Sequence, residues 1–145
     1  MAWGGSGLYV VTLQDVLDTT QLALDLDLET HKLALYDNTV TPNYTTDSAY
    51  SSSGEISGTG YTAGGKVVTG TALSASSGIL TWDSDNVQWD SSTLTGVRGG
   101  EIYADALGGN NLILGIDFGT AYATSDGVLL VTIHANGLLT VDCVP

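Results

Sequence analysis

The chain has 145 residues, of which 43% are hydrophobic and 13% are charged, a balance that excludes a disordered chain and predicts one folded domain. Its formal net charge of −13 combines 16 acidic residues with three cations, Lys32, Lys66 and Arg98. Since affinity for nucleic acid depends on neutralising phosphates with Lys and Arg, we expect no nucleic-acid partner.

The single cysteine and the N-terminal residues bear on the cellular setting. Cys143 has no second cysteine with which to form an intrachain disulfide. The first residues lack the basic and apolar regions of a signal peptide, and no run approaches the roughly 20 apolar residues that cross a bilayer. We therefore expect a protein without a membrane partner that is made in a cytoplasm.

The N-terminal segment is predicted to be an arm followed by a short helix. Residues 1–10 begin with a Gly-rich stretch, which favours a flexible arm that becomes ordered when a neighbouring subunit holds it. The candidate partner-binding residues lie in this arm: Trp3, Leu8 and Tyr9. The helical spacing of Leu13, Val16 and Leu17 then predicts a helix over about 11–18, within a single β-sandwich domain of residues 11–145.

The segment from 22 to 65 contains one clear strand and a long loop. Residues 22–28 alternate leucines with Ala23, Asp25 and Asp27, which is the period of a half-buried extended segment. Residues 32–36 are typical of a buried strand. The Ser-, Thr-, Tyr- and Gly-rich stretch 43–65 is predicted to be a loop with at most one strand near 55–57.

Short strands separated by turn residues are predicted over the rest of the chain. Their approximate ranges are 66–74, 78–82, 87–90, 94–104, 111–118, 128–134 and 138–143. Such spacing predicts a mainly β protein, namely an antiparallel β-sandwich or barrel that follows the one short helix. Periodicity leaves the strand order open between jelly-roll and immunoglobulin-like arrangements.

Two hairpins are predicted from the requirement that one face of each pair be apolar. A loop at 83–86 would pair Trp82 with Val87 and Leu80 with Trp89. A three-residue loop at 135–137, with Gly137 in the left-handed conformation, would form the second hairpin. Its predicted pairs are Ile133 with Leu139, Thr132 with Thr140, Val131 with Val141, and Leu129 with Cys143.

For each residue with catalytic or metal-binding potential, a structural role is a simpler interpretation than a chemical one. His134 is expected on a polar strand face, and His31 has no sequence neighbour typical of a metal site. Cys143 is expected on the core face. Residues 83–86 are predicted to be a solvated turn, because an EF-hand would need Gly where Gln88 stands. We expect no enzyme, no catalytic residue, no cofactor and no bound metal.

A resemblance gives the chain a biological setting. Five segments, in this order, resemble short structural proteins from the virion modules of tailed bacteriophages: KLALYDNTVTPNY, GEISGTGYTAGG, VQWDSSTLTGVRGGEIYAD, LILGIDFG and VTIHANGLLTVD. The resemblance implies a capsid decoration or cement protein on the virion surface, made in the host cytoplasm. It implies the major capsid protein or other virion proteins as partners, with homo-oligomer formation expected, and a tail or head–tail accessory protein as the alternative.

A carbohydrate- or receptor-binding module is a further alternative. It would use Trp82 and Trp89 as a stacking platform, together with tyrosines of the long loop, Tyr44, Tyr50 and Tyr61. The predicted hairpin places both tryptophans beside Leu80 and Val87, on a face without polar groups to bind sugar hydroxyls. Core packing is therefore the favoured interpretation of the tryptophans.

Overall fold

A computed structural model describes residues 3–28 and 30–144. The fold is mainly β with antiparallel sheets and one short helix, as predicted, and none of the sheets closes on itself. In chain order the elements are β1 (Gly7–Leu8), α1 (Val10–Leu17), β2 (His31–Tyr36), β3 (Lys66–Val67), β4 (Ala72–Ser76), β5 (Ile79–Asp83), β6 (Val87–Ser92), β7 (Val97–Ala104), β8 (Leu112–Tyr122), β9 (Gly127–Val131) and β10 (Leu139–Asp142).

The largest sheet has five strands in the order β1-β8-β7-β2-β3. On one of its faces, the register aligns Leu33 with Ile102 and Ile102 with Leu114, and all three side chains are buried. On the other face, Glu101 lies between Ala34 and Gly115. The sheet therefore has one face of large aliphatic side chains and one on which small residues leave room for covering loops.

The remaining strands form a three-stranded sheet, β10-β5-β4, and a two-stranded sheet, β6-β9. Trp82 of β5 and Trp89 of β6 are 0% and 3% exposed and belong to the same apolar cluster as Leu33 and Ile102. The predicted core placement of both tryptophans is confirmed. The aliphatic face of the five-stranded sheet thus packs with side chains from both smaller sheets.

The predicted hairpin of residues 80–89 is wrong. β5 pairs with β4 on one edge and with β10 on the other, so no edge is left for β6, which pairs with β9 instead. The connection between β5 and β6 is bonded to other segments of the chain. The Asp85 amide donates to the Thr69 carbonyl over 2.9 Å, and the Asn86 side chain accepts from the Ile133 amide over 2.8 Å.

The predicted C-terminal hairpin is also wrong, although its turn is present. Gly137 has φ +83° and its amide donates to the His134 carbonyl over 2.8 Å, so the left-handed glycine was correctly predicted. The turn nevertheless joins strands of two different sheets, because the Leu138 amide donates to the Trp82 carbonyl over 2.8 Å. Cys143 is consequently exposed beyond the edge strand β10, and its predicted core position is wrong.

The N-terminal arm is not a free segment from Trp3 onward. Residues 7–8 form β1, in which Gly7 and Leu8 align with Gly115 and Leu114 of β8. Trp3 is 4% exposed and lies over Gly99, where a Cβ would come within 2.5 Å of the indole. The edge of β8 and the glycine at position 99 thus receive parts of the segment that the sequence predicts to be an arm. Met1 and Ala2 lie outside the described residues.

In the segments on either side of β2, the predicted burial matches the structure better than the predicted strands do. Residues 22–28 form no strand. Leu22, Leu24 and Leu26 are half-buried whereas Ala23, Asp25 and Asp27 are exposed, as the alternation predicted, but Leu28 is 41% exposed, contrary to it. In the long loop, the bridge between Tyr36 and Glu55 is the extended contact expected near 55–57. The strand predicted at 66–74 is divided into β3 and β4 by Gly70, whose φ is +63°.

Candidate functional site

Helix α1 presents an apolar stripe to solvent. Val10, Leu13 and Leu17 are 50%, 49% and 77% exposed, and their spacing of three and four residues puts them on one face of the helix. The buried side of the helix is polar at its centre, where the hydroxyl of Thr12, which is 1% exposed, donates to the Leu112 carbonyl. We call Val10, Leu13 and Leu17 the α1 stripe.

A small apolar crevice continues the α1 stripe. The crevice has a volume of about 60 Å³, and Leu13 forms part of its wall. The half-buried Leu24 and Leu26, from the segment between α1 and β2, line it on another side. The stripe and the crevice together form a continuous apolar surface, which is the kind of feature that marks a protein interface. Helical spacing revealed the helix, but the sequence alone did not reveal that this face points outward.

The three predicted partner-binding residues are packed within their own chain. The indole N–H of Trp3 donates to the Asp37 carbonyl over 3.2 Å, and its ring lies 6.5 Å from that of Tyr36. Tyr9 is 1% exposed, and Leu8 is half-buried in β1 and in the wall of the crevice. Of the three, Leu8 and Tyr9 therefore line the crevice beside the α1 stripe, whereas Trp3 is buried elsewhere in the domain.

A second feature is a cleft over Glu101, on the loop-covered face of the five-stranded sheet. The cleft has a volume of about 450 Å³ and lies between the sheet and the loop of residues 37–53. Glu101 is 5% exposed, and the Tyr9 hydroxyl donates to its Oε1 over 2.5 Å. Gly115 makes room above it, since a Cβ there would lie 2.6 Å from the Tyr44 hydroxyl. A carboxyl group in a central strand was the sequence signal for this site, and the sequence analysis missed it.

The electrostatics of the cleft follow from burial. Burial raises the pKa of Glu101 above its ordinary value, and nearby Asp47 raises it further, while the hydroxyls of Tyr9 and Tyr36 act in the opposite direction. Burial likewise raises the pKa values of Tyr9 and Tyr36, and the negative charge of Glu101 adds to the effect. Burial therefore disfavours the charged form of each of these groups.

The residues with catalytic potential are dispersed. His31 is 1% exposed and lies edge-on to Trp82 at 5.7 Å, and its Nε2 is 2.8 Å from the Asp25 carbonyl. Burial lowers the pKa of His31, and its Nδ1 has no hydrogen-bond partner among residues 3–28 and 30–144. His134 is exposed beside the turn at Gly137, distant in the chain and in its contacts from His31.

In residues 3–28 and 30–144, no three His, Cys, Asp or Glu side chains are grouped so that they could hold a metal ion. No helix in the same ranges combines the length and apolarity needed to span a bilayer. No protein-family model, curated protein or solved structure matches the chain.

Proposed function

We propose that this chain is a structural protein of a tailed-bacteriophage virion, which decorates the capsid surface and stabilises the shell by binding the major capsid protein. The observation that carries the proposal is the α1 stripe, an apolar helix face directed at solvent. The ordered resemblance of five segments to virion-module proteins supplies the setting. Both point to a protein that acts by assembly.

The α1 stripe offers enough apolar surface to contribute usefully to binding. Covering a leucine side chain that is otherwise in water is worth about 1.5–3 kcal/mol. Leu13 and Leu17 are 49% and 77% exposed, so a partner surface that covers both gains a substantial part of this energy from each side chain. An interface centred on such residues needs no nucleophile and no cofactor.

The charge of the molecule is consistent with an outer position on a particle. The net charge is −13, and each of the three cations already has a partner in the chain. Lys32 pairs with Asp105 at 3.0 Å, Arg98 pairs with Asp117, and the Lys66 ammonium donates to the Gln88 carbonyl over 2.6 Å. A surface of unbalanced carboxylates repels the same surface on neighbouring particles, which favours their dispersion.

The layering of the sheets belongs to the same proposal. We propose that the chain is a β-sandwich in which the five-stranded sheet forms one layer and the two smaller sheets form the other. In support, Leu33 and Ile102 of the large sheet share one apolar cluster with Trp82 and Trp89 of the small sheets. A sandwich leaves its loops and its helix available for contacts with neighbours.

Binding to shells tests the proposed function. The purified chain is mixed with empty shells assembled from the major capsid protein of the same genome, and the shells are sedimented through sucrose. We expect saturable co-sedimentation at a fixed ratio to the capsid protein and an increase in the temperature at which shells disrupt. Binding to purified tails but not to shells would replace decoration with a tail or head–tail role, and binding to neither would overturn the proposal.

A further inference from the structure

The cleft over Glu101 has the size and the lining of a small-molecule site. Its volume of about 450 Å³ falls in the range of roughly 300–1,000 Å³ that is usual for ligand pockets. None of the α1 stripe residues lines it. A function for this cleft is therefore separate from the proposed shell binding and does not rest on it.

The walls of the cleft are rich in groups that both donate and accept hydrogen bonds. Five serine and threonine side chains line it: Thr39, Thr46, Ser48, Ser51 and Ser53. Two carboxyl groups, from Asp47 and Glu101, complete the polar lining, and no Lys, Arg or His is among the described residues that form it. This set disfavours an anionic ligand, because nothing is present to neutralise its charge.

The floor of the cleft is partly apolar. Tyr36 and Leu112 are 1% and 2% exposed on the sheet, and Val40 is half-buried in the loop. Glu101 adds carboxyl oxygens that can accept hydrogen bonds from ligand hydroxyls. A ligand with a ring of C–H groups and a periphery of hydroxyls matches this combination of surfaces.

The cleft is held open by hydrogen bonds within its own loop. The Tyr36 hydroxyl donates to the Ser51 carbonyl over 2.7 Å, which ties the loop to the sheet. The Asn43 amide donates to Asp47 Oδ2 over 2.8 Å, and the Thr39 amide donates to Asp37 Oδ1 over 2.8 Å. A site that is already organised loses little conformational entropy when a ligand binds.

We propose that this cleft binds a neutral, hydroxyl-rich small molecule of the mono- or disaccharide class. Hydroxyls of the ligand exchange hydrogen bonds with the serine and threonine side chains of the walls and with Glu101. The C–H face of the ligand lies against Val40 and Ala49, the apolar lining residues that are not buried. This site differs from the tryptophan platform considered above, because Trp82 and Trp89 are buried in the core.

Amide chemical shifts of the ¹⁵N-labelled full chain test the proposal. Glucose, galactose, N-acetylglucosamine, maltose and lactose are titrated separately to about 50 mM, with choline as a cationic probe. We expect at least one sugar to give saturable shifts that cluster at residues 39–53 and at Glu101. The absence of such shifts with every sugar in the panel would overturn the proposal.

Two variants and a matched control define the site. Ser53→Trp fills the mouth of the cleft from an exposed position, whereas Ser57→Trp adds the same side chain at an exposed serine that does not line it. We expect sugar shifts to be lost in the first variant and kept in the second. Saturable binding of choline but of no sugar, weakened at least tenfold by Asp47→Asn, would instead assign the cleft to cations and overturn the proposal.

Discussion

Glu101 illustrates how much a single side chain depends on partners that are distant in the chain. Its carboxyl group accepts from Tyr9, which lies 92 positions earlier, and it occupies a strand position between Ala34 and Gly115. Desolvating a carboxyl group is costly unless it is neutral or well hydrogen-bonded, and here burial favours the neutral form. The sequence shows a Glu between Gly100 and Ile102, but it does not show which hydroxyl reaches it.

Glu101→Gln is expected to remove one component of the pH dependence of stability. Because the pKa of Glu101 is raised in the folded state, its contribution is fully present below the ordinary value of 4.5 and is lost as pH rises through the folded-state pKa. The free energy of unfolding of the wild type should therefore fall relative to that of Glu101→Gln as pH rises. The difference should be about 1.4 kcal/mol for each unit by which the pKa is raised.

Urea unfolding of both proteins between about pH 4 and 8 measures this difference. Other titrating groups occur in both chains, so their contributions largely cancel. Parallel stability curves over the whole range would show that Glu101 has the same affinity for protons in the folded and unfolded states.

Gly65 is a second residue whose role was not evident from the sequence. Its φ is +79°, and a Cβ would lie 2.0 Å from the Leu33 carbonyl oxygen. We expect Gly65→Ala to lower the free energy of unfolding by about 2–4 kcal/mol, since backbone strain and steric overlap both contribute. Urea denaturation midpoints measure the loss.

Substitutions at two other glycines distinguish backbone strain from steric overlap as the cause of that loss. Gly96 has φ +72° and no atom within 4 Å of the position that a methyl group would occupy, so Gly96→Ala should cost only about 1 kcal/mol of strain. Gly108 has neither a positive φ nor a close neighbour, so Gly108→Ala should stay within about 0.5 kcal/mol of the wild type. Equal losses at Gly65 and Gly96 would contradict the overlap with β2.

At the scale of elements, the sequence predicted where strands lie better than how they pair. Alternation is a local property, so the burial of residues 22–26, the helix α1 and the central strands β2, β7 and β8 agreed with expectation. Strand pairing depends on all the strand edges available in the fold. β5 pairs with β4 and with β10, and neither predicted hairpin forms, because no local pattern specifies these pairings.

Engineered disulfides test the observed pairing of β5 with β10. Thr81 and Thr140 are register partners, and residues directly opposed in antiparallel strands have Cα atoms about 4.5–5.5 Å apart, within disulfide reach. In a Cys143→Ser background, Thr81→Cys with Thr140→Cys should form a disulfide in most molecules. Non-reducing electrophoresis and peptide mass spectrometry detect it. Efficient bonding in Thr132→Cys with Thr140→Cys, and none in the first pair, would restore the predicted C-terminal hairpin.

At the scale of the whole molecule, composition and resemblance suggested an assembling protein, and the fold adds the surface through which it would assemble. The predicted anchor at Trp3 is occupied within the chain, since its indole covers Gly99 and bonds to the Asp37 carbonyl. An exposed apolar surface lies instead on α1. Helical periodicity identifies a stripe on this helix, but only the buried Thr12 on the opposite side shows which face is left to solvent.

The most direct test of the proposed assembly role is shell binding by variants of the α1 stripe. Leu13→Asp with Leu17→Asp places two carboxylates on the stripe, and Gln14→Asp places one at an exposed polar position of the same helix as a control. Both changes are at exposed positions, so circular dichroism and the unfolding midpoint should change little. In co-sedimentation with shells, we expect the double variant to bind roughly 100-fold more weakly than the wild type or worse, which corresponds to about 3 kcal/mol. We expect the control to bind within about threefold of the wild type. Wild-type affinity in a folded double variant would contradict the account.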